Sequence, residues 1–518
     1  MKRRTFIKAS AVSSLPILLN GMPVGVLDSR AMQPFINAED DRILVLVQLN
    51  GGNDGLNTLI PLDQYDNLAE VRGNILIPQS QVLKLDDKHA LHTSMDGFRR
   101  LYDEGKLSVI QSVAYPDQNR SHFRSKDIWT SGSDASAYIS TGWLGRYFTH
   151  FYPDYPENYP NDDYPDPFAI TLGAVVSETC QGLSSNFSFT LSDPSDLSGV
   201  EKTADADVGS ECYQAELAHI KNTIRQTNAY SSVLSEAYAK GQNVATYPED
   251  NDLANQMRIV ARLVAGGLKT KVYVVSIGGF DTHANQVESG SPASGAHATL
   301  LERLSTAIFA FQQDCESLGI EKRVLGMTFS EFGRRIRANF SLGTDHGTAA
   351  PMFVFGHCVN GGIIGENPVI DRLVGENEGV PMQYDFRSVY ATALKDWFDA
   401  PENLVREVMF KDFQYLPFLR ECQSPNSTYQ PDISSIDASI YPNPATEYCI
   451  IEFDSKGGKV HIAIFDDRGA LMKTVLSRKL AAQRHQVQVR LDNNLKQGIY
   501  FVRISELSRV KTMKLVVM

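Results

Sequence analysis

The sequence is poor in cysteine, has no long apolar run and carries no excess of positive charge, and each shortage excludes something. Six cysteines in 518 residues (Cys180, Cys212, Cys315, Cys358, Cys422 and Cys449) are widely scattered, with no Cys-x-x-Cys pair. They do not make a zinc framework, and they leave room for one or two disulfides whose pairing the spacing does not assign. No stretch after the amino terminus reads as transmembrane, and the apolar run there, Ala9 to Leu19, is too short to span a bilayer as a stable helix. A formal charge of -12 argues against nucleic acid as the main partner.

What is present points to several parts. The length exceeds what one hydrophobic core normally holds, and 42% hydrophobic with 21% charged residues is ordinary for a soluble globular protein. Residues 439–518 hold 13 Lys and Arg against 7 Asp and Glu, which leaves 36 against 54 elsewhere. An acidic body therefore carries a basic tail, and a boundary is expected near residue 439. Lys2-Arg3-Arg4-Thr5-Phe6-Ile7-Lys8, the apolar run behind it and Ser29-Arg30-Ala31 resemble a twin-arginine export signal with its cleavage site, over residues 1–31.

Three apolar runs break into acids and histidines. Ile43 to Leu49 ends in Asn50-Gly51-Gly52-Asn53-Asp54-Gly55-Leu56-Asn57-Thr58. Val272 to Val275, with Ile277, ends in Gly278-Gly279-Phe280-Asp281-Thr282-His283. Val324 to Phe329 feeds into Ser330-Glu331, and Asp345-His346-Gly347 follows in a loop. Near-continuous apolar runs mark strands buried on both faces, and their carboxyl ends are where α/β sheets bind ligands. Carboxylate oxygen and neutral imidazole nitrogen are the usual ligands of divalent ions, so Asp54, Asp281, His283, Glu331, Asp345 and His346 are candidate metal ligands. Turn chemistry explains Asn53-Asp54-Gly55 on its own; the matching positions on the other strands favour a site.

The remaining motifs surround these. Leu107 to Val113 is a further strand, followed by Asn119-Arg120-Ser121-His122-Phe123, where Ser121 reads as a nucleophile and His122 as its support or as a ligand. A helix cap explains the same pair equally well. Arg334 and Arg335 suit an anionic ester as bidentate donors, with solvent-facing arginines as the alternative. Phe151 to Phe168 alternates Tyr, Pro, Asp and Asn and reads as an exposed loop or lid, and Ser184 to Ser210 as an irregular insertion. Leu253, Met257, Val260, Ala261 and Val264 recur at helical spacing, as do Leu301, Leu304, Ile308, Phe311, Cys315 and Leu318. Strands alternating with such helices predict a mostly parallel sheet covered on both faces.

Together, Gly51 to Thr58, Asp281-Thr282-His283, Ser330-Glu331-Phe332-Gly333-Arg334 and Gly343-Thr344-Asp345-His346-Gly347 resemble the secreted family catalogued as domain of unknown function 1501, from Arg42 to Phe418, within a domain expected over residues 42–422. That family is placed with alkaline phosphatases and sulfatases. The resemblance implies an α/β/α sandwich of the alkaline-phosphatase-like kind and a metal-assisted site for phosphate or sulfate esters. Zinc, calcium, magnesium and manganese are the divalent ions in view. The resemblance carries over Asp54 as the first acid, Asp281 and His283 as the middle pair, His346 as the late histidine and Ser121 as the nucleophile by position. Where many of those proteins have Asp-His, this chain has Glu331-Phe332, and phenylalanine cannot bind a metal.

After a Ser-, Pro- and Asn-rich linker at 423–438, residues 439–518 read as an all-β, immunoglobulin-like sandwich. Tyr441-Pro442-Asn443-Pro444 and Gly498-Ile499-Tyr500 resemble the carboxyl-terminal sorting domain of type IX (Por) secretion substrates. That implies contact with the type IX machinery, transit of the periplasm, and a secreted or surface-attached product. Two function classes follow: a metal-dependent hydrolase of anionic esters, and a non-catalytic surface scaffold on the same fold. The amino-terminal reading has its own test. Replacing Arg3 and Arg4 by Lys is expected to leave the precursor in the cytoplasm on cell fractionation, and normal export of the double variant would end the twin-arginine reading.

Overall fold

The computed structural model describes residues 18–19, 22–23, 41–157, 159–192, 211–420, 422, 436–455, 457–465, 471–491, 495–506 and 509–517. The rest of the export signal read over residues 1–31, and residues 423–435 of the linker read over 423–438, lie outside these. Residues 41–424 form one compact unit and residues 425–518 belong to a second.

The larger unit is built on one sheet. Its strands are β1 (Ile43–Asn50), β2 (Leu107–Ala114), β3 (Ala169–Leu172), β4 (Ser188–Leu191), β5 (Val272–Gly278), β6 (Val324–Ser330), β7 (Ala350–Phe355), β8 (Gly362–Ile364) and β9 (Tyr384–Asp385). The spatial order is β8-β2-β7-β6-β1-β5-β3-β4, with β9 also pairing with β2. Every pairing is parallel except those of β7, which runs antiparallel to both β6 and β2. In β1, Ile43 to Leu49 are all buried, as a strand covered on both faces requires.

Alternation along the strands divides the side chains between two helical layers. Val45, Val47, Tyr273 and Val275 join a core with α2 (Asp96–Asp103), α5 (Asp252–Ala265) and α6 (Ala296–Ser317). The predicted stripes Leu253 to Val264 and Leu301 to Cys315 are the buried faces of α5 and α6. On the other side, Trp129 of α3 (His122–Ser131) stacks on Phe329 of β6 at 6.3 Å and on Phe386 at 4.3 Å. A helix not read from the sequence, α4 (Glu211–Lys240), packs beside α5. Helix α1 (Tyr65–Arg72) ends in a buried arginine that reaches the site.

One expectation is overturned. The segment from Phe151 to Phe168 is not an exposed loop: Tyr152, Tyr155 and Tyr159 are buried, and their rings pack on Phe168 with centroids 4.0, 5.7 and 5.3 Å away. Tyrosine supplies apolar area as well as a hydroxyl, so a run that looks polar by composition builds a core of aromatic faces. Cys358 and Cys422 are joined in a disulfide across 64 residues, while Cys180, Cys315 and Cys449 are free and buried. Among the described residues no helix is long and apolar enough to cross a membrane.

Among the described residues of 425–518 there are seven antiparallel strands in two sheets. Strands β10 (Ala438–Tyr441), β11 (Tyr448–Asp454) and β14 (Arg484–Arg490) form one, and β12 (Gly458–Phe465), β13 (Leu471–Leu480), β15 (Gly498–Glu506) and β16 (Arg509–Val517) the other. Ile451, Phe453 and Val489 meet Ile462, Ile464, Val502 and Leu515 in a shared core.

Under the end of β1 lie two buried imidazoles, His92 and His297, with ring centroids 6.1 Å apart. His297 meets Asn53 Oδ1 through Nε2 at 2.9 Å. Burial holds the pKa of His92 down at about 3, with the His297 charge lowering it further, and that of His297 at about 4 against the opposing pull of Asp54. Below the ordinary imidazole value of 6.5 the unfolded chain takes up protons that the folded chain refuses, so this contribution raises stability with pH between about 4 and 6.5 and is flat above. Denaturation midpoints are expected to fall in that window by an amount worth a few kcal/mol, and His92→Gln with His297→Gln should flatten the profile. An unchanged slope in the double variant would place the acid sensitivity elsewhere.

Candidate active site

The site forms where β1, β5 and β6 end together, because their parallel register delivers three loops to one edge of the sheet. Gly51 (φ 118°) and Gly52 (φ 84°) let the first loop fold under the others: a Cβ at Gly51 would lie 2.3 Å from the Asp281 nitrogen, and one at Gly52 2.4 Å from the Phe332 ring. Their N–H groups point at Glu331, donating to its carboxylate at 2.9 to 3.1 Å.

Arg334 locks the loops to one another. Its Nε donates to Gly52 O at 2.7 Å and Nη1 to Thr344 O at 2.9 Å; Nη2 donates to Phe280 O at 2.9 Å, to Asp281 Oδ1 at 2.7 Å and to Gly51 O. The side chain is 1% exposed. The expectation that Arg334 grips a substrate anion is corrected here, since a buried guanidinium engaged by five oxygens of the chain positions loops instead.

Asp54 is likewise committed. Both of its oxygens accept from Arg72 Nη1 at 2.9 Å, and Gln286 donates to Oδ2 at 2.7 Å. Burial by itself would raise the Asp54 pKa; the Arg72 charge, then that of His297 and the hydrogen bonds from Arg72 and Gln286, outweigh it and hold the carboxyl below its usual value. Neither Arg72 nor Gln286 stood out in the sequence, because a partner 18 or 232 residues away leaves no periodic signal.

The remaining candidates converge. His283 Nε2 lies 2.9 Å from His346 Nε2 and 3.0 Å from Asp281 Oδ1, and His346 Nε2 lies 3.1 Å from the same oxygen. His122 Nε2 stands 3.5 Å from Asp281 Oδ2, and its ring meets that of His346 edge to face at 4.5 Å. His122, Asp281 and His346 each offer a ligand atom within 4.8 Å of the others, close enough to hold one ion. Phe332, 2% exposed, packs against the His346 and His122 rings at 4.5 and 4.9 Å.

Each ring has an acceptor behind it. His346 Nδ1 faces the Arg120 carbonyl at 2.9 Å, His283 Nδ1 faces Asp345 Oδ1 at 2.9 Å, and His122 Nδ1 lies 3.9 Å from Glu331 Oε1. In the tautomer that donates through Nδ1 to these oxygens, His283 and His346 each present a bare Nε2 towards Asp281 Oδ1. Burial lowers the His346 pKa, and the charges of Arg334 and His122 reinforce this against the hydrogen bonds to Asp281 and Arg120. Asp281 and Asp345 are both held below the usual carboxyl value: burial opposes this, while Arg334 and His346 act on Asp281 and His283, Asn339 and Arg335 on Asp345. Asp345 and Glu331, read from the sequence as ligands, thus stand behind histidines.

Ser121 is exposed at the N-cap of α3, and its side chain makes no capping bond. Beside the cluster, Arg335 Nη1 reaches Asp345 Oδ2 at 3.3 Å while its buried Nε has no partner, and Arg120 Nη1 donates to Asn377 O at 2.7 Å.

Comparison with known proteins adds family and address. Residues 439–518 match the secretion system C-terminal sorting domain, so the protein carries the address of a secreted or surface-attached product of the type IX route. No curated protein matches the chain. Among solved structures it matches a phosphonate monoester hydrolase from Silicibacter pomeroyi, at 10% identity over 92% of this chain and 89% of that one, with a TM-score of 0.32. It also matches a protein of the alkaline phosphatase superfamily from Vibrio parahaemolyticus, at 8% identity over 91% and 79% with a TM-score of 0.30. A sulfatase from Pseudoalteromonas sp. matches at 8% identity over 92% and 87%, with a TM-score of 0.30. No activity or residue role is transferred from proteins so distant. Residues 106–396, which span β2 to β9 and most of the converging side chains, match the family described as protein of unknown function DUF1501, and the chain belongs to that family.

Proposed function

We propose that the protein is a hydrolase of phosphate or sulfate esters that works with one divalent ion held by Asp281, His283, His346 and His122. The observation that supports this is the approach of two bare imidazole nitrogens and a carboxylate oxygen to 2.9–3.1 Å of one another. In the tautomers that donate through Nδ1, three lone pairs that close repel one another unless a cation lies among them. The spacing is also about what neighbouring ligands at right angles show around an ion roughly 2.1 Å away. A set rich in imidazole suits zinc or another transition ion better than calcium or magnesium.

When bound, such an ion polarises the ester oxygen as a Lewis acid. The chain's own groups do the rest. Asp345 keeps the proton of His283 on Nδ1, and the Arg120 carbonyl does so for His346. Ser121 Oγ is the candidate nucleophile: its bond to phosphorus or sulfur forms as the ester bond breaks, its proton passes to the departing alkoxide, and water then cleaves the serine ester, with direct attack by water as the alternative. The second reading, a surface scaffold without activity, draws on Phe332, which fills with a ring the place of a further ligand, and on the commitment of Asp54 to Arg72.

In metal-stripped protein, zinc or manganese is expected to raise the melting temperature, the stabilisation reaching about 2.7 kcal/mol at one hundred times Kd. His346→Ala and Asp281→Ala should lose most of that shift together with hydrolysis of aryl phosphate or aryl sulfate. Asp54→Ala should cost about 3–5 kcal/mol by stranding Arg72, yet keep the response to metal. Ser121→Ala should lose turnover and keep the shift. If no divalent ion moves the melting curve, the scaffold reading stands.

A further inference from the structure

One buried amide lies between the two loops that bring in Asp281, His283 and His346. Gln286 is fully buried; its Oε1 accepts from Thr282 Oγ1 at 2.9 Å and from Thr344 Oγ1 at 2.7 Å, and its Nε2 donates to Asp54 Oδ2 at 2.7 Å. Asp54 fixes which way the amide points. Ion-paired with Arg72, that carboxylate only accepts, so the amide nitrogen faces it and the oxygen is left to the two hydroxyls. Both lone pairs of one oxygen are thereby used, one for each loop.

The two threonines sit inside the motifs that supply the cluster. Thr282 separates Asp281 from His283, and Thr344 precedes Asp345 and His346. Both are buried, whereas the acid and histidines beside them reach the cluster. The main chain joins the loops at the same place, Thr344 N donating to Thr282 O at 3.1 Å and Gln286 N to Leu342 O at 2.9 Å. A Cβ on Gly343 would stand 2.4 Å from His283 O, so the two segments lie in direct contact. Backbone bonds alone leave such loops free to pivot about each other. An atom bonded to a side chain from each removes that freedom, and without it two buried hydroxyls would lose their acceptor, which favours the loops parting to reach water.

We propose that Gln286 is a positioning residue of the cluster: by bridging Thr282 and Thr344 it sets the separation of the two loops, and with it the 2.9 Å approach of His283 Nε2 to His346 Nε2. In treating the cluster as a metal site this rests on the hydrolase reading; as a pin between the loops it stands without it.

The test uses the full-length chain at a temperature where circular dichroism shows each variant folded. It measures zinc affinity, the visible spectrum of the cobalt-loaded protein, and hydrogen exchange of the metal-stripped protein. Gln286→Met keeps the length of the side chain and removes its three bonds, while Thr282→Val and Thr344→Val each remove one hydroxyl from a side chain of nearly the same shape. The methionine variant should bind zinc about tenfold or more weakly and shift the cobalt bands. Each valine variant should do so to a lesser degree, and Thr282→Ser and Thr344→Ser should keep the wild-type values. Exchange should quicken in residues 280–286 and 342–348 of the stripped methionine variant. Asn251→Ala, which loses a buried amide capping α5, should lower the melting temperature and leave both metal readouts unchanged. A folded Gln286→Met that matches the wild type in zinc affinity and cobalt spectrum overturns the proposal, because a residue that only stabilises the fold gives that result. Should the methionine variant not fold, the valine variants decide by the same comparison. If the wild type takes up neither ion, the hydrolase reading falls and exchange decides the pin: quickened in both loops it stands, unchanged it falls.

Discussion

The active edge depends on Arg334. A single buried guanidinium joins the carbonyls of Gly51, Gly52, Phe280 and Thr344, and so ties the loops after β1, β5 and β6 into one body. Each of those oxygens is turned inward, away from water, and would be costly to leave without a donor. The same side chain touches Asp281, the acid on which the histidines converge. Stability and the placement of the cluster are thus coupled at one residue, and loosening the clamp frees the loops before it changes any donor atom.

A second buried arginine repeats the device one layer down. Arg72 closes on Asp54 and also donates to the carbonyls of Arg335 and Ile336, fixing the segment that leaves β6. Above this frame the rings of His283 and His346 are each held by an oxygen behind Nδ1, and Phe332 packs against His346 and His122. Donor atoms held in this way are poised before any ligand arrives, so little ordering entropy is left for binding to offset.

Much of this was legible in the chain because burial on both faces leaves a mark. Ile43 to Leu49, Val272 to Ile277 and Val324 to Phe329 are continuous apolar runs, and the polar residues that follow had to stand at the sheet's edge. What stayed hidden was whatever depends on partners distant in sequence. Asp54 and Asp281 sit in equivalent turns, yet one is locked by Arg72 and the other faces histidines, and only folding separates them. The tyrosines at 152, 155 and 159 misled for a different reason: composition counts their hydroxyls and neighbouring prolines, whereas packing counts their faces. Strand β7 was missed because it runs against the others, beyond a stretch of turns, where no βα alternation announces it.

The disulfide has a mechanical consequence. A product held at the cell surface by its carboxyl-terminal part would receive any pull at residue 422, which directly precedes the linker. Cys422 passes that tension straight to Cys358, next to Val359 and Leu419, which pair across the same point. The 63 residues between the two cysteines, which include β8, β9 and the loop at 377–379, lie inside the covalent ring that the disulfide closes and outside the load path. Shear from the surroundings is therefore shunted past the segment that borders the cluster.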